Sequence, residues 1–574
     1  MTAISSSPAA GSARGASLRA AAWPASAALL VGAIHLALAS RLTAPIIMAD
    51  EYGYLGAARR IVGDVSQTHV PYHAGAGLLY VPAALLGDGP LGVYRGALAT
   101  NAVLAALLAL AGWWTAGLFE PLRRPPVRFA ATLAVGLYTS FVGYSGLAAP
   151  EVAFAALELA LLGVFARALR GGRTAWWALA STGCAAAWLL HPRGAGVIAG
   201  GLVVAFVALR PSRLHWSAIT AFLTPLIVGL PLITWLDDWV SGTVLDPEQY
   251  DSGAIVSGIS SAHGVKMLVI TAFGQFFYLN AATLGLVTLG GLALWRRLRS
   301  GDPDRLVALY PLGALVFVFG ISVATNARAS RADHLLYGRY NEGAIAPLLL
   351  AGLAVLAGSE VVALRRLYVA IAGGVTLASA AIFYGLAGTG RLHGLYFLVT
   401  VLGIDPIRRR IGWPDPLLIG AAVFVLIYLV AAVRRLGSIA PIALVGLVFV
   451  VLGVKNTRDF FQPESRNRAQ EHVLAVALNR IGAQEPLGCV AYDRTTESFF
   501  HHFNYLYLAP ARYVVFVPGQ APPCGDLVIS NAAFGAANPG ARPLATETRA
   551  EQVLWVLPGA RQDRLAAAGA FPAG

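Results

Sequence analysis

Three short polar stretches interrupt an otherwise apolar chain and carry the residue types that chemistry at a membrane surface needs. The stretch ADEYGYL places Asp50 beside Glu51 just after the first long apolar run. AAPEV puts Glu151 at the start of another apolar run, and YGRYNE holds Arg339 among tyrosines. An ionised carboxylate can accept a proton, and a guanidinium binds phosphate through a planar pair of donors. These stretches predict a polar site at a membrane boundary.

Further candidates lie in the loops near these stretches. They are His69, Tyr72 and His73 in HVPYH, Arg193 in HPRG, and Arg331, His334, Tyr337 and Tyr340 in the segment 325–347, together with Tyr52. Arg193 lies between two apolar runs, where an arginine is costly in lipid unless it faces a cavity or an anion. His69 and His73 have a spacing that a helix could turn toward a metal, but one pair with a proline between favours a structural or acceptor-contacting role. Glu151 taken alone is equally well explained as a helix cap.

The composition requires membrane-spanning helices to position these residues. Of 574 residues, 57% are hydrophobic and only 12% charged, whereas soluble domains carry about 25% charged residues. The net charge of +13 does not indicate nucleic-acid binding, because the arginines form small clusters between apolar runs, as orientation signals do. Arginine in place of lysine, with abundant alanine and glycine, suggests a high-GC genome such as that of an actinobacterium.

Thirteen apolar runs are long enough to cross a bilayer of ordinary thickness. They lie at 20–40, 92–118, 129–147, 152–169, 174–190, 194–209, 216–236, 266–294, 306–324, 344–362, 367–387, 416–433 and 438–454. With a cytoplasmic N-terminus, every inner connection is basic and the opposite side collects the acidic residues, as the positive-inside rule requires. The triplet Arg408–Arg410 falls on the outer side in this topology. The run before it, 395–404, is short and predicts an interfacial or re-entrant segment.

The chain divides into a membrane domain, 1–454, and a small extracytoplasmic α/β domain, 455–574. The expected outer loops of the membrane domain are 41–91, 237–265, 325–343 and 388–415. Within the first of them, residues 54–62 and 77–87 predict juxtamembrane helices. Short β-branched runs alternating with helical patterns predict the α/β domain. Cys489 and Cys524 in that domain could pair, and two buried free thiols are an equal alternative.

The order of these features resembles the GT-C superfamily of membrane glycosyltransferases, particularly the protein mannosyltransferase and lipid A aminoarabinose transferase branch. The resemblance covers roughly residues 20–350: ADEYGYL after the first span, then HVPYHAGAGLLYVPAALLG, YRGAL and YGRYNE. It implies an all-α polytopic membrane fold and a sugar donor carried on polyprenyl phosphate. Transfer to an envelope glycan, lipid or protein would occur on the outer face of the cell membrane.

The resemblance also implies roles for individual residues. Asp50 matches the position of the acid that acts as general base on the acceptor hydroxyl, and Glu51 would orient the acceptor or the neighbours of Asp50. Arg339, with Arg193 or Arg331, would hold the departing phosphate. The remaining aromatic and histidine candidates, with Glu151, would contact substrate. No cofactor is established by the sequence, and a divalent metal is left open.

Two other functions are compatible with many spans. A polytopic transporter or lipid-linked sugar flippase would explain arginines in outer cavities, but such proteins often show repeated halves and charges at the membrane midplane, which this sequence does not display. A non-catalytic assembly protein is the third alternative. The sequence selects neither the sugar nor the acceptor, and it leaves metal dependence and oligomeric state open.

Overall fold

Long apolar helices build most of the molecule. The computed structural model describes residues 10–68, 73–171, 173–208, 216–240, 261–302, 304–327, 331–358, 362–388, 398–407, 415–496, 502–509, 511–517, 519–548 and 551–572. The membrane domain contains α1 (Ala10–Ala39), α2 (Met48–Ile61), α3 (Gly75–Leu79), α4 (Val81–Leu86), α5 (Gly89–Ala116), α6 (Pro125–Gly136), α7 (Thr139–Tyr144), α8 (Glu151–Gly171), α9 (Thr174–Leu190), α10 (Gly194–Ala208) and α11 (Trp216–Val240). It continues with α12 (Ala262–Ala282), α13 (Leu286–Arg299), α14 (Leu309–Asn326), α15 (Arg339–Glu342), α16 (Ala346–Ala357), α17 (Val362–Ala387), α18 (Pro416–Ala432) and α19 (Ile439–Asn456).

The chain is a multi-pass membrane protein. Within the described residues, nine helices are long and apolar enough to cross a membrane, and the number becomes ten if the bent pair Ala332–Glu342 and Ala346–Ala357 is one span. The three other predicted spans correspond to shorter elements: the broken pair α6 and α7, the 17-residue α9 and the 15-residue α10. The polytopic fold is confirmed, and the number thirteen stays a prediction.

One predicted span differs from the structure in its course. The run 266–294 is not a single helix, because α12 ends at Ala282 and α13 begins at Leu286. Leu284 and Gly285 between them both have positive φ, 53° and 72°. A left-handed residue cannot continue a right-handed helix, so the chain turns here.

The first loop, residues 41–88, contains the predicted juxtamembrane helices. Its first helix, α2, is longer than the predicted segment 54–62 and starts at Met48, so that Asp50 and Glu51 lie in its first turn. The segment 77–87 is divided into α3 and α4. His69 and Tyr72 lie outside the described residues, as do Arg408–Arg410 and most of the expected loop 237–265.

The last part of the chain forms a small α/β unit. Its elements are α20 (Gln462–Gln470), α21 (Val473–Gly482), β1 (Cys489–Asp493), α22 (His502–Leu508), β2 (Arg512–Phe516), β3 (Leu527–Ser530), α23 (Ala532–Ala537), β4 (Arg542–Glu547), β5 (Gln552–Val556) and α24 (Ala560–Ala567). The sheet order is β2-β1-β3-β5-β4. Strands β2, β1 and β3 are parallel to one another, and β5 is antiparallel to both of its neighbours, β3 and β4. We call residues 455–574 the C-terminal domain.

Two features of the C-terminal domain add detail to what the sequence predicted, namely where the domain begins and whether its cysteines pair. The last membrane helix does not stop at residue 454, because α19 runs through the π-turn Thr457–Phe461 into α20. Cys489 and Cys524 form a disulfide, which selects one of the two alternatives that the sequence left open. Disulfides persist in oxidising compartments.

Candidate active site

The first turn of α2 directs two neighbouring carboxylates to different partners. Oδ2 of Asp50 accepts a hydrogen bond from Nη1 of Arg339. Oε2 of Glu51 instead accepts from the main-chain N–H groups of Ile46 and Ile47, both at 2.7 Å, and its Oε1 from that of Ala148 at 2.8 Å. Successive helix residues are about 100° apart around the axis, so one carboxylate faces the arginine and the other the backbone.

Glu51 therefore connects the start of α2 to the chain just before α8. Its side chain is completely buried. Burial raises the pKa of the Glu51 carboxyl to about 7, against the three main-chain hydrogen bonds and the charge of Arg339, which lower it. The contacts indicate an anchoring function for this residue.

Arg339 lies at the centre of the polar cluster. It begins the one-turn helix α15 and is 2% exposed. Its Nε donates to Oε1 of Glu151 at 2.7 Å, while its Nη1 pairs with Asp50. Glu151 is fully buried at the first position of α8, directly after Pro150. One guanidinium thus joins carboxylates from two distant parts of the chain.

A second arginine completes the cluster. Nη1 of Arg193 donates to the main-chain carbonyl of Arg339 at 3.0 Å, and its Nη2 is 3.7 Å from Oε1 of Glu151. The guanidinium of Arg193 also lies 4.5 Å from the ring centroid of Phe154 and 6.0 Å from that of Tyr340. Arg193 is 1% exposed. Two guanidiniums and two carboxylates, those of Asp50 and Glu151, balance in charge, which reduces the cost of burial.

The cluster retains unused hydrogen-bonding capacity. In the part of the chain that the structure describes, Oε2 of Glu151, Nη2 of Arg339, and Nε and Nη2 of Arg193 are buried and have no hydrogen-bond partner. Buried polar atoms are nearly always satisfied in proteins, so such a group of exceptions points to a ligand or to water. Three of the four atoms are donors, a set that suits an anion.

Aromatic side chains line one side of the cluster. The ring of His191 contacts that of Tyr340 with centroids 5.1 Å apart, Tyr340 contacts Tyr337 at 4.8 Å, and Tyr337 contacts His334 at 5.6 Å. Burial, followed by the charges of Arg193 and Arg339, places the pKa of His191 well below its usual range. His191 is therefore a neutral ring at physiological pH.

Tyr54 lies one helical turn after Asp50 on α2 and is fully buried. Burial is the main cause of a pKa far above the usual value for its hydroxyl, and the negative charges of Asp50 and Glu151 add to it. The hydroxyl therefore stays protonated and acts as a neutral group beside the charged cluster.

The structure brings together seven of the thirteen candidates named from the sequence. Asp50, Glu151, Arg193, Arg339, Tyr337, Tyr340 and His334 form the cluster and its aromatic side. Glu51 adjoins this group but bonds to backbone, as described above.

Among the described residues, Arg331 pairs with a side chain outside the cluster. It forms a bidentate pair with Asp333, at 3.0 and 2.8 Å, and Asp333 also accepts from the hydroxyl of Thr400 at 3.0 Å. Arg331 and Arg339 are close in sequence, but the carboxylates that they pair with among the described residues differ.

Two further candidates face other surroundings. The hydroxyl of Tyr52 lies 3.2 Å from Nε2 of His472, and its ring contacts Tyr507, so that Tyr52 faces the C-terminal domain. Nδ1 of His73 pairs with Asp237, and the His73 ring lies 4.5 Å from Trp188. Within the described part of the chain, no three His, Cys, Asp or Glu side chains are grouped as metal ligands would be.

Glu342 is a buried acid that is not among the site residues predicted from the sequence. Its carboxylate accepts hydrogen bonds from four hydroxyls, those of Tyr138, Ser140, Tyr144 and Tyr278. Its position three residues after Arg339, on the same helical turn, was the available signal. The contacts indicate that Glu342 fixes α15 in place, and with it Arg339.

Comparisons with known proteins give no match to a protein-family model or to a curated protein. Solved structures do match. ArnT from Cupriavidus metallidurans bound to undecaprenyl phosphate superimposes with a TM-score of 0.53 at 13% identity, covering 92% of this chain and 97% of ArnT. The apo form of the same protein gives 0.51 at 14% identity, with 94% and 98% covered. The chain thus shares its overall fold with ArnT, in agreement with the all-α polytopic membrane fold that the order of its motifs predicted.

Proposed function

We propose that this protein takes a sugar from a polyprenyl-phosphate donor and transfers it to a cell-envelope glycan, lipid or protein on the outer face of the membrane. The observation that carries the proposal is the pairing of Arg339 with both Asp50 and Glu151, beside the second buried guanidinium of Arg193. The fold supports it, because ArnT, which shares the fold, was solved with undecaprenyl phosphate bound.

The two arginines suit the phosphate of such a donor. A polyprenyl-phosphate sugar leaves behind polyprenyl phosphate, which gains negative charge as the sugar–oxygen bond breaks. The unused donors, Nη2 of Arg339 and Nε and Nη2 of Arg193, are fixed in place and buried. Preorganised positive charge in a water-poor site is often the largest contribution to catalysis.

Asp50 is the residue suited to accept the proton. Its side chain is 14% exposed, whereas Glu151 is not exposed at all, so an acceptor hydroxyl can reach Asp50 more easily. In the step we propose, the acceptor oxygen bonds to the anomeric carbon and its proton passes to Asp50. The bond from the anomeric carbon to the phosphate oxygen breaks, and its electron pair stays on polyprenyl phosphate.

Arg339 links phosphate binding to this proton transfer. Asp50 is paired with Arg339 in the structure, and a bound phosphate competes for the same guanidinium. A phosphate that draws Arg339 away releases the Asp50 carboxylate to act as base. Glu151, held to Nε of Arg339 at 2.7 Å, keeps the arginine side chain oriented during this exchange.

The contacts of Glu51 support a different role from the one its position in the sequence implied. All three of its hydrogen bonds go to main-chain N–H groups. We therefore assign Glu51 to holding α2 against the start of α8, and not to orienting the acceptor.

Two observations support placing the site on the outer side of the membrane. Basic residues are concentrated in one set of connections and acidic residues in the other. The C-terminal domain, which contacts the same first loop as the site, contains the Cys489–Cys524 disulfide, and disulfides are rare in the reducing cytosol.

The proposal can be tested with purified protein in lipid nanodiscs. Radiolabelled mannosyl and arabinofuranosyl polyprenyl phosphates serve as donors, and a cell-envelope extract serves as acceptor. We expect label to enter the acceptor with the wild type and not with Asp50→Asn. Arg170→Gln is the control, because Arg170 lies at the opposite end of α8 from Glu151 and pairs with Asp304. Movement of intact donor across vesicles without any transfer would instead indicate a flippase.

A further inference from the structure

The first loop is attached to the C-terminal domain at several separate points. The hydroxyl of Ser465 accepts hydrogen bonds from the main-chain N–H groups of Thr43 and Ala44, at 2.9 and 2.8 Å. On the other side of α2, between α2 and α3, Oε1 of Gln67 accepts from the N–H of Tyr513 at 2.8 Å. Between these points, α2 itself contacts the C-terminal domain.

The contact between α2 and the C-terminal domain centres on Tyr507 of α22. The ring of Tyr52 lies 5.1 Å from the ring of Tyr507. The guanidinium of Arg59 lies at the same distance over that ring, and its Nη1 donates to the Tyr507 carbonyl. The hydroxyl of Tyr507 donates to the carbonyl of Pro90 at 2.6 Å, in the first turn of α5. Tyr507 therefore contacts both ends of the segment that carries α2, α3 and α4.

Helix geometry relates these contacts to Asp50. Tyr52 and Arg59 are seven residues apart on α2, about two turns, so they lie on one face and one above the other. Asp50 is two residues from Tyr52, about 200° around the axis, and faces the opposite side, toward Arg339. A contact that fixes the Tyr52 and Arg59 face thereby fixes the rotation and the height of Asp50.

We propose that Tyr507 is a positioning residue for Asp50, and that the C-terminal domain acts in the reaction by holding α2 in register with Arg339. The inference rests on the proposed function, since it concerns the geometry of the proposed base. A displacement of about 1 Å in a reacting group can cost about 100-fold in rate. Arg59 transmits the contact: it is 3% exposed and is also held by Asp64 within the loop.

The test compares variants of the full-length protein in nanodiscs. Tyr507→Ala removes the ring against Tyr52 and Arg59, while Tyr507→Phe keeps the ring and loses only the hydrogen bond to Pro90. We expect Tyr507→Ala to lower kcat about tenfold or more with KM for the sugar donor unchanged. We expect Tyr507→Phe to restore most of kcat. Binding of undecaprenyl phosphate should not weaken in either variant, because Arg339 and Arg193 are untouched.

Trp555→Ala is the matched control for a loss of domain stability. Trp555 is a large side chain of β5 in the same domain, packed on Phe534 and bonded to the carbonyl of Asn531, on the sheet face away from α22. We expect it to lower the Tm of the domain without lowering kcat. Equal losses of kcat in Trp555→Ala and Tyr507→Ala would overturn the proposal.

Hydrogen exchange separates this inference from the proposed function. Amide protection along α2, residues 48–61, should fall in Tyr507→Ala and stay normal in Trp555→Ala, whether or not the protein transfers a sugar. Unchanged protection of α2 in Tyr507→Ala would contradict the positioning role even if transfer activity is found. If the wild type transfers no sugar but α2 shows the expected exchange pattern, the proposed function is wrong. The contact between Tyr507 and α2 would then still be confirmed as a structural one.

Discussion

The side chain of Arg193 donates a hydrogen bond to the main-chain carbonyl of Arg339, 146 residues further along the chain, at 3.0 Å. One buried arginine thus supports the backbone of the residue that carries the other. Both guanidiniums also lie close to the same oxygen of Glu151, Oε1, at 3.7 Å for Arg193 and 2.7 Å for Arg339.

Arg193→Gln should weaken binding of undecaprenyl phosphate through both effects, loss of a charge and loss of support for Arg339. A hydrogen bond from a charged group contributes about 1.5–3 kcal/mol, so we expect affinity to fall about tenfold to a hundredfold. Binding measured by native mass spectrometry in nanodiscs checks this. Arg193→Lys should recover little, because an ammonium cannot bond the carbonyl and face Glu151 in the same planar geometry.

Arg339→Ala should lower both sugar-donor affinity and the rate of transfer, because a phosphate clamp acts before and during the reaction. Arg339→Lys should restore the two only in part, since the planar fork is lost. Arg331→Ala should have little effect, because Arg331 pairs with Asp333. Donor titrations with all three variants test this, and loss of binding in Arg331→Ala with normal binding in Arg339→Ala would move the clamp to Arg331.

Glu51→Gln should destabilise the protein. The Gln side chain can present its oxygen to the N–H groups of Ile46 and Ile47, but its NH₂ then faces the N–H of Ala148, which needs an acceptor. An unsatisfied buried donor costs about 1–3 kcal/mol. Thermal unfolding followed by intrinsic fluorescence measures the change, and a Tm equal to that of the wild type would show that Glu51 is not an anchor.

The difference in Tm between the wild type and Glu51→Gln should depend on pH, because the pKa of the Glu51 carboxyl is raised to about 7 in the folded protein. The folded state holds the Glu51 proton more tightly than the unfolded chain does. The resulting stabilisation is complete below the unfolded pKa and is lost as pH rises through about 7. Gln does not titrate, so the Tm advantage of the wild type over Glu51→Gln should shrink between pH 5 and pH 8. A gap that widens with pH would reverse the sign and contradict this environment for Glu51.

Gly338→Ala should damage the site without removing a functional group. Gly338 precedes Arg339, and a Cβ built on it would lie 1.7 Å from Cε1 of Tyr278. Tyr278 would have to move, and its hydroxyl bonds both Glu342 and the N–H of Gly403. We expect a lower Tm and loss of transfer, measured on protein that still inserts into membranes. Normal activity in Gly338→Ala would mean that α15 tolerates displacement.

The sequence predicted the residue types of the site more accurately than their partners. Asp50, Glu151 and Arg339 stood out because charged groups are rare beside apolar runs, and the structure joins all three. Adjacent residues such as Asp50 and Glu51 carry the same local signal, yet they face different partners because the packing of α2 decides which side of the helix meets Arg339. The sequence likewise does not show which of Arg331 and Arg339 joins the cluster, because the fold of the loop decides their partners.

The pattern of apolar residues does not predict where a long apolar run is broken into two helices. Apolar residues continue on both sides of Leu284 and Gly285, where the chain leaves the helix through positive φ values. The attachment of the C-terminal domain to α2 was equally hidden, since Tyr52 and Tyr507 are far apart in sequence. Their aromatic character alone fits a buried core as well as a substrate contact.

Asp50→Asn gives the most direct test of the proposed chemistry. Asparagine keeps the size of the side chain and removes the proton acceptor, and loss of a general base typically lowers the rate by about 10²–10⁴-fold. It also releases Arg339 from one of its two carboxylates, so undecaprenyl phosphate should bind at least as tightly as it does to the wild type. The measurement is the single-turnover rate of transfer with saturating sugar donor, together with the affinity for undecaprenyl phosphate in the same nanodiscs. We predict a rate at least 100-fold lower with affinity equal or higher; a near-normal rate in Asp50→Asn would contradict the assignment of Asp50 as the base.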